Sequence, residues 1–168
     1  MHLTPFQLDR AGKSIARLSY KDHSIDFHDV SILSPPVRVL DYNPDNSRLR
    51  VDLSDHPLFL SKLQNLYKNL IHTFYIHQQG FLHTVHSSLD DIRQLFYYLM
   101  DGPVLSLYVY PTAVVMNPVG KESRMAEIKT GDTLRCVIRF QGVTQLHNRE
   151  GMRLRLHHSI PALYRILP

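Results

Sequence analysis

The chain has few of the residues that mark several protein classes. Its 168 residues include one cysteine, Cys136, which excludes an internal disulfide and any cysteine-rich zinc site. No apolar run approaches the roughly 20 residues a membrane helix needs, so no membrane partner is expected. The segment Met1–Phe6 lacks the charged start and long apolar stretch of a signal peptide. Only three glutamates occur, Glu122, Glu127 and Glu150, all near turns or loops, which leaves no convincing acid–base pair. The phosphate loop Gly-x-x-x-x-Gly-Lys-Ser/Thr and the elbow Gly-x-Ser-x-Gly are both missing. There is no internal repeat, no low-complexity tract and no linker that would split two domains. The expectation is a single soluble intracellular domain, residues 1–168, that is not an enzyme and needs neither cofactor nor metal.

What is present is enough for a packed core, with 43% hydrophobic and 20% charged residues. The charge is unevenly spread. Up to Pro103 there are 10 Lys/Arg against 11 acids, and beyond it 9 against 4, so the excess lies in the last 65 residues. Positive charge gathered in one region attracts polyanions, although a solvated basic surface is the plainer alternative.

The first fifty residues read as short strands. Ser24–Ile32 alternates through Ile25 and Phe27, and Pro35-Pro36 breaks the chain. Val37–Tyr42 and Arg48–Leu53 flank the turn signal Asn43-Pro-Asp-Asn46, which predicts a hairpin. A helix follows over about 56–77, with Phe59, Leu63, Leu66, Leu70 and Phe74 at three- and four-residue spacing and Gly80 as the stop. Its face also offers a route to a homo-oligomer through Tyr67 and Tyr75, though core packing explains the stripe more simply. A second helix is expected over about 88–100, capped near Ser87-Ser88 and stabilised by Asp90 and Asp91 in its first turn. Strands resume at Val104–Asn117, Thr133–Leu146 and Met152–Ile160. The fold class predicted is α+β, an OB-fold-like small β-barrel of mostly antiparallel strands with two helices inserted between strands.

Alternation then supplies a candidate site. Leu134, Cys136, Ile138 and Phe140 face one way, with Arg135 and Arg139 opposite. Leu154 and Leu156 likewise oppose Arg153, Arg155 and His157. The apolar face of both strands must be core, so the opposite face is a strip of four arginines without an acid. It gains stacking platforms if the tyrosine face of the preceding strand continues it. Tyr108 and Tyr110 share a face opposite Leu105, Leu107 and Val109, and Lys121 and Arg124 add loop cations. Arginine forks suit phosphate and aromatic rings stack on any base, so the combination points to single-stranded nucleic acid. The histidines do not make a metal site. His72 and His77 are five apart, off one helical face, and His83 and His86 have no carboxylate or cysteine at ligand spacing. Cys136 points inward as a buried thiol.

The stretch Thr130-Gly-Asp-Thr-Leu-Arg-Cys-Val-Ile-Arg-Phe-Gln-Gly-Val143, followed by Gly151-Met-Arg-Leu-Arg-Leu-His-His-Ser-Ile160, resembles the closing hairpin of viral single-stranded-DNA-binding proteins. The type in question is the phage-T7-like OB-fold group, also found in large DNA viruses of eukaryotes. The likeness covers about 65 of the 168 residues. It implies a protein that coats single-stranded DNA during viral replication, recombination or repair, in the host nucleus or at a viral replication site. Phage members carry an acidic tail for replication partners; this chain ends Leu163-Tyr-Arg-Ile-Leu-Pro168, which puts tail-mediated recruitment in doubt. Two other uses of the arginine face stay open: a virion structural or assembly protein docking an acidic partner, and an RNA-binding regulator.

Overall fold

The computed structural model describes residues 2–22, 25–82, 85–86 and 88–167. In chain order the elements are β1 (His2–Leu3), β2 (Gln7–Leu8), β3 (Ser14–Asp22), β4 (Ile25–His28), β5 (Val30–Leu33), β6 (Val37–Asn43) and β7 (Arg48–Asp52). Helices α1 (Pro57–Ile76), α2 (Gln78–Phe81) and α3 (Leu89–Leu95) come next. They are followed by β8 (Phe96–Tyr97), β9 (Met100–Asp101), β10 (Val104–Tyr108), β11 (Val114–Met116) and β12 (Glu122–Arg124). A 3-10 turn at Met125–Glu127 leads to the long strands β13 (Thr133–Asn148) and β14 (Gly151–Ile166). The fold is mixed α+β and mostly strand. Its strand pairings form an open path, so the closed barrel expected from the sequence is not formed among the described residues. No helix among those residues is long and apolar enough to cross a membrane.

Packing groups the chain into two compact units. The first holds residues 1–30, 61–98 and 140–157, and the second 31–60, 99–139 and 158–168. Strands β13 and β14 each give one half to each unit.

In the first unit β3 is the hub, pairing antiparallel with β1, β2, β4 and β13. Strand β14 continues the sheet and pairs in parallel with β8, Leu154 against Phe96 and Arg155 against Tyr97. Over this sheet lies an aromatic core. Phe74 of α1 meets Phe96 edge-on at 5.6 Å and Phe81 at 4.8 Å, and Tyr67 meets Phe96 at 6.3 Å. The spacing of Leu63, Leu70 and Phe74 therefore reads as core, and each such ring or leucine contributes roughly 1.5–3 kcal/mol through burial. Tyr67 is only 3% exposed, which removes it as a self-association contact. Two helix limits differ from expectation. Gly80 sits inside α2 rather than ending a helix. The second helix stops at Leu95, because Phe96 and Tyr97 gain ladder bonds and burial by joining β14. Its start agrees with the reading: the Ser88 side chain accepts from the Asp91 N–H at 3.2 Å. Ser24, His83 and Ser87 lie outside the described residues.

In the second unit the path runs β12-β11-β14-β13-β6-β7-β10-β9. The hairpin of β6 and β7 is as predicted, with Val39 against Val51 and Asn43 against Arg48. Val37, Val39, Leu49, Val51, Leu105, Leu107, Leu134, Cys136, Ile138 and Leu163 are all buried, as alternation requires. The single strand expected over Val104–Asn117 is instead β10 and β11, parted by a turn at Pro111-Thr112, since proline cannot donate to a ladder. Strand β14 runs six residues past the predicted Ile160 and pairs in parallel with β11 through Tyr164 and Met116.

Candidate nucleic-acid interface

The second unit presents the two tyrosines. On β10, Leu105 and Leu107 turn inward, which leaves Tyr108 51% exposed; beyond the strand Val109 is buried and Tyr110 is 77% exposed. Their backbone is held from three sides. The Tyr108 N–H donates to His158 Nε2 at 3.2 Å, the Val109 N–H donates to the Ser47 carbonyl at 2.8 Å, and the Tyr42 hydroxyl donates to the Val109 carbonyl at 2.5 Å. Burial raises the Tyr42 pKa, keeping that hydroxyl a donor. The Tyr108 and His158 rings lie 6.2 Å apart. Exposed aromatics on a fixed backbone lose little freedom when a flat ligand stacks on them.

Register adds a cation that sequence reading missed. Arg48 of β7 lies directly across from Tyr108, and its Nη2 donates to Ser106 Oγ at 3.2 Å. No acid pairs with it among the described residues. Its neighbours are neutralised: Arg38 pairs with Asp52 at 3.1 Å and Arg50 with Asp41 at 2.8 Å. The signal for Arg48 was the alternation Arg48-Leu-Arg-Val-Asp52, hidden because that part of the chain carries no net positive charge.

The other cations of this unit divide by employment. Arg139 and Lys121 are exposed. Arg135 is half-buried and donates through Nε to the Ser34 carbonyl at 3.0 Å, and Arg124 donates through Nη1 to the Thr112 carbonyl at 2.8 Å. Arg135 and Arg124 thus tie strands and loops together.

The first unit holds the remaining expected residues, Arg153, Arg155 and His157, all half-buried. Arg153 donates from Nε to the Leu95 carbonyl at 3.1 Å and from Nη2 to the Phe96 carbonyl at 3.5 Å. It therefore caps the C-terminus of α3, where carbonyls lack helical partners and the dipole favours a cation. Its guanidinium also lies 4.1 Å from the Tyr97 ring centre, and that of Arg155 lies 5.4 Å away. The Tyr97 hydroxyl accepts from Asn148 Nδ2 at 3.1 Å. Sequence reading missed Tyr97 because its position continues a helical pattern. The imidazole of His157 is held below the usual histidine range, first by burial and then by nearby Lys13 and Arg17, with Asp9 opposing.

The turn joining β13 to β14 is two residues, Arg149 and Glu150. Asn148 therefore lies across from Gly151, and even-numbered residues of β13 face odd-numbered residues of β14. The Thr144 hydroxyl, donating to the Arg155 carbonyl at 3.2 Å, agrees with this register. Leu154 and Leu156 share their face with buried Val143, while Arg153, Arg155 and His157 share the other with Gly142 and Thr144. The four arginines of the expected strip are divided between the units: Arg135 and Arg139 belong to the second and Arg153 and Arg155 to the first.

Cys136 is buried as expected, and burial pushes its thiol pKa up to about 12. Among the described residues no three metal-ligating side chains cluster. No protein-family model, curated protein or solved structure matches the chain. Chemically, the second unit offers exposed rings and an arginine that has no acid partner among the described residues, and the first offers half-buried Arg153 and Arg155 at the Tyr97 ring.

Proposed function

We propose that the protein binds single-stranded DNA with little sequence preference, as a coat on viral DNA during replication, recombination or repair. The observation that carries this reading is the pair of exposed rings, Tyr108 and Tyr110, on a pinned backbone beside the cation Arg48. Bases stack on the two rings, while Arg48 and Arg139 hold phosphates, with Lys121 at the margin. An OB-like arrangement of the second unit is part of the proposal. Support comes from the antiparallel run β6–β7–β10, the helices inserted in the chain between β7 and β10, and β13 paired with β6. The viral assignment rests on the resemblance of the last third of the chain.

The test is fluorescence anisotropy of a labelled oligo-dT of about 30 nucleotides at two salt concentrations, with duplex DNA and matched RNA as competitors. Salt-sensitive binding that duplex does not compete is the expected result. Tyr108→Ala and Tyr110→Ala should each weaken it by about 1–3 kcal/mol, with the salt slope unchanged. Absence of binding at low salt would overturn the proposal. Stronger competition by RNA would reassign the site to RNA.

A further inference from the structure

The first unit gathers positive charge at a place that sequence alternation does not bring together. Arg17 of β3 lies across from Gly142 of β13, and the hairpin register puts His157 of β14 on the far side of that glycine. Arg17, Gly142 and His157 thus form one row across three strands. Arg155, two residues from His157, shares its face. Lys13 stands at the turn from β2 into β3, near enough to act on the His157 imidazole, as Arg17 also does.

The acid close by is already engaged. Asp9 Oδ1 accepts from the backbone N–H groups of Ala11 at 2.9 Å and Lys13 at 2.8 Å, closing the β2–β3 turn. Among the described residues no acidic side chain pairs with Lys13, Arg17 or Arg155. By contrast, Arg38, Arg50, Arg93 and Arg165 each have a carboxylate partner. Like charges gathered on adjacent strands repel, and a bound anion relieves that repulsion. Arginine forks make phosphate oxygens the fitting acceptors.

We propose that Lys13, Arg17, Arg155 and His157 form a phosphate-binding cluster that takes the backbone of a single nucleic-acid strand. The choice of strand rests on the DNA-binding reading above; the anion site does not. Lys13→Ala/Arg17→Ala is the test variant, because both side chains lie outside the aromatic core. Oligo-dT affinity is measured against salt, and tripolyphosphate is titrated into wild type and variant while backbone amide resonances are followed by NMR.

The cluster predicts a salt slope reduced by about 1.4, from two lost phosphate contacts at about 0.7 each. It also predicts tripolyphosphate shifts at Lys13, Arg17, Arg155 and His157 that disappear in the variant. Oligo-dT binding with an unchanged slope would overturn the cluster and leave the DNA reading standing. Tripolyphosphate shifts without oligo-dT binding would keep the anion site and discard the nucleic-acid strand. If neither probe perturbs these four residues, the cluster is refuted outright. Thermal melts matching wild type establish that the variant is folded.

Discussion

At the scale of single residues, the chemistry follows from who holds each side chain. Arg153 and Arg135 both stood out as phosphate ligands in the sequence, and both are engaged with backbone carbonyls. Arg153→Ala should therefore destabilise the protein by leaving the end of α3 uncapped, a cost of about 0.5–2 kcal/mol read from urea unfolding. His157 predicts a pH dependence of defined sign. Its folded pKa lies below the unfolded value near 6.5, so the neutral form is favoured in the folded state. Its contribution to stability is complete above that value and is lost as pH falls, because the unfolded chain takes up the proton first. The urea midpoint should drop between about pH 7.5 and about pH 5.5, and His157→Gln should drop less. An equal drop in both proteins would contradict the assignment. The inward direction of Cys136 was legible from alternation alone, and its thiol should react with a disulfide reagent only as the protein unfolds.

At the scale of elements, periodicity named most strands and helices, while pairing decided where they end. The α1 stripe is a strong signal because a repeat of three and four residues, sustained from Phe59 to Phe74 within a 20-residue helix, matches the helical period and no strand's. Phe96 and Tyr97 went astray because they continue an amphipathic helix pattern, and only a neighbouring strand makes them β. The β13–β14 register turned on a two-residue turn, and one residue more or less would exchange every face. Gly142 shows the same dependence on a neighbour. A Cβ there would lie 2.2 Å from the Ala16 carbonyl oxygen and 3.0 Å from the Arg17 Cα, both backbone atoms that cannot move aside. Gly142→Ala should cost about 1–3 kcal/mol and weaken the β3–β13 pairing. Hydrogen exchange at Ala16 and Arg17 measures this, and unchanged protection would disprove the close approach.

At the scale of the whole molecule, each unit is assembled from three separate stretches of chain, and both contain part of β13 and part of β14. Cleavage after the exposed Arg149, in the turn between those strands, leaves each unit's strand pairs intact. The two fragments should therefore co-elute under native conditions and separate only in denaturant; separation without denaturant would refute this. Charge follows the same partition. The sequence split gives −1 and +5, whereas the first unit carries 10 Lys/Arg against 7 acids and the second 9 against 8. The sequence by itself determined the α+β class, the buried faces of β6, β7, β10 and the first half of β13, and that Tyr108 and Tyr110 oppose Leu105, Leu107 and Val109, because alternation and helical period are local properties. The tertiary structure decided which cations share a surface, which arginines are spent on carbonyls, and that the sheet stays open. Those outcomes depend on register and on partners distant in the chain, which no local period encodes.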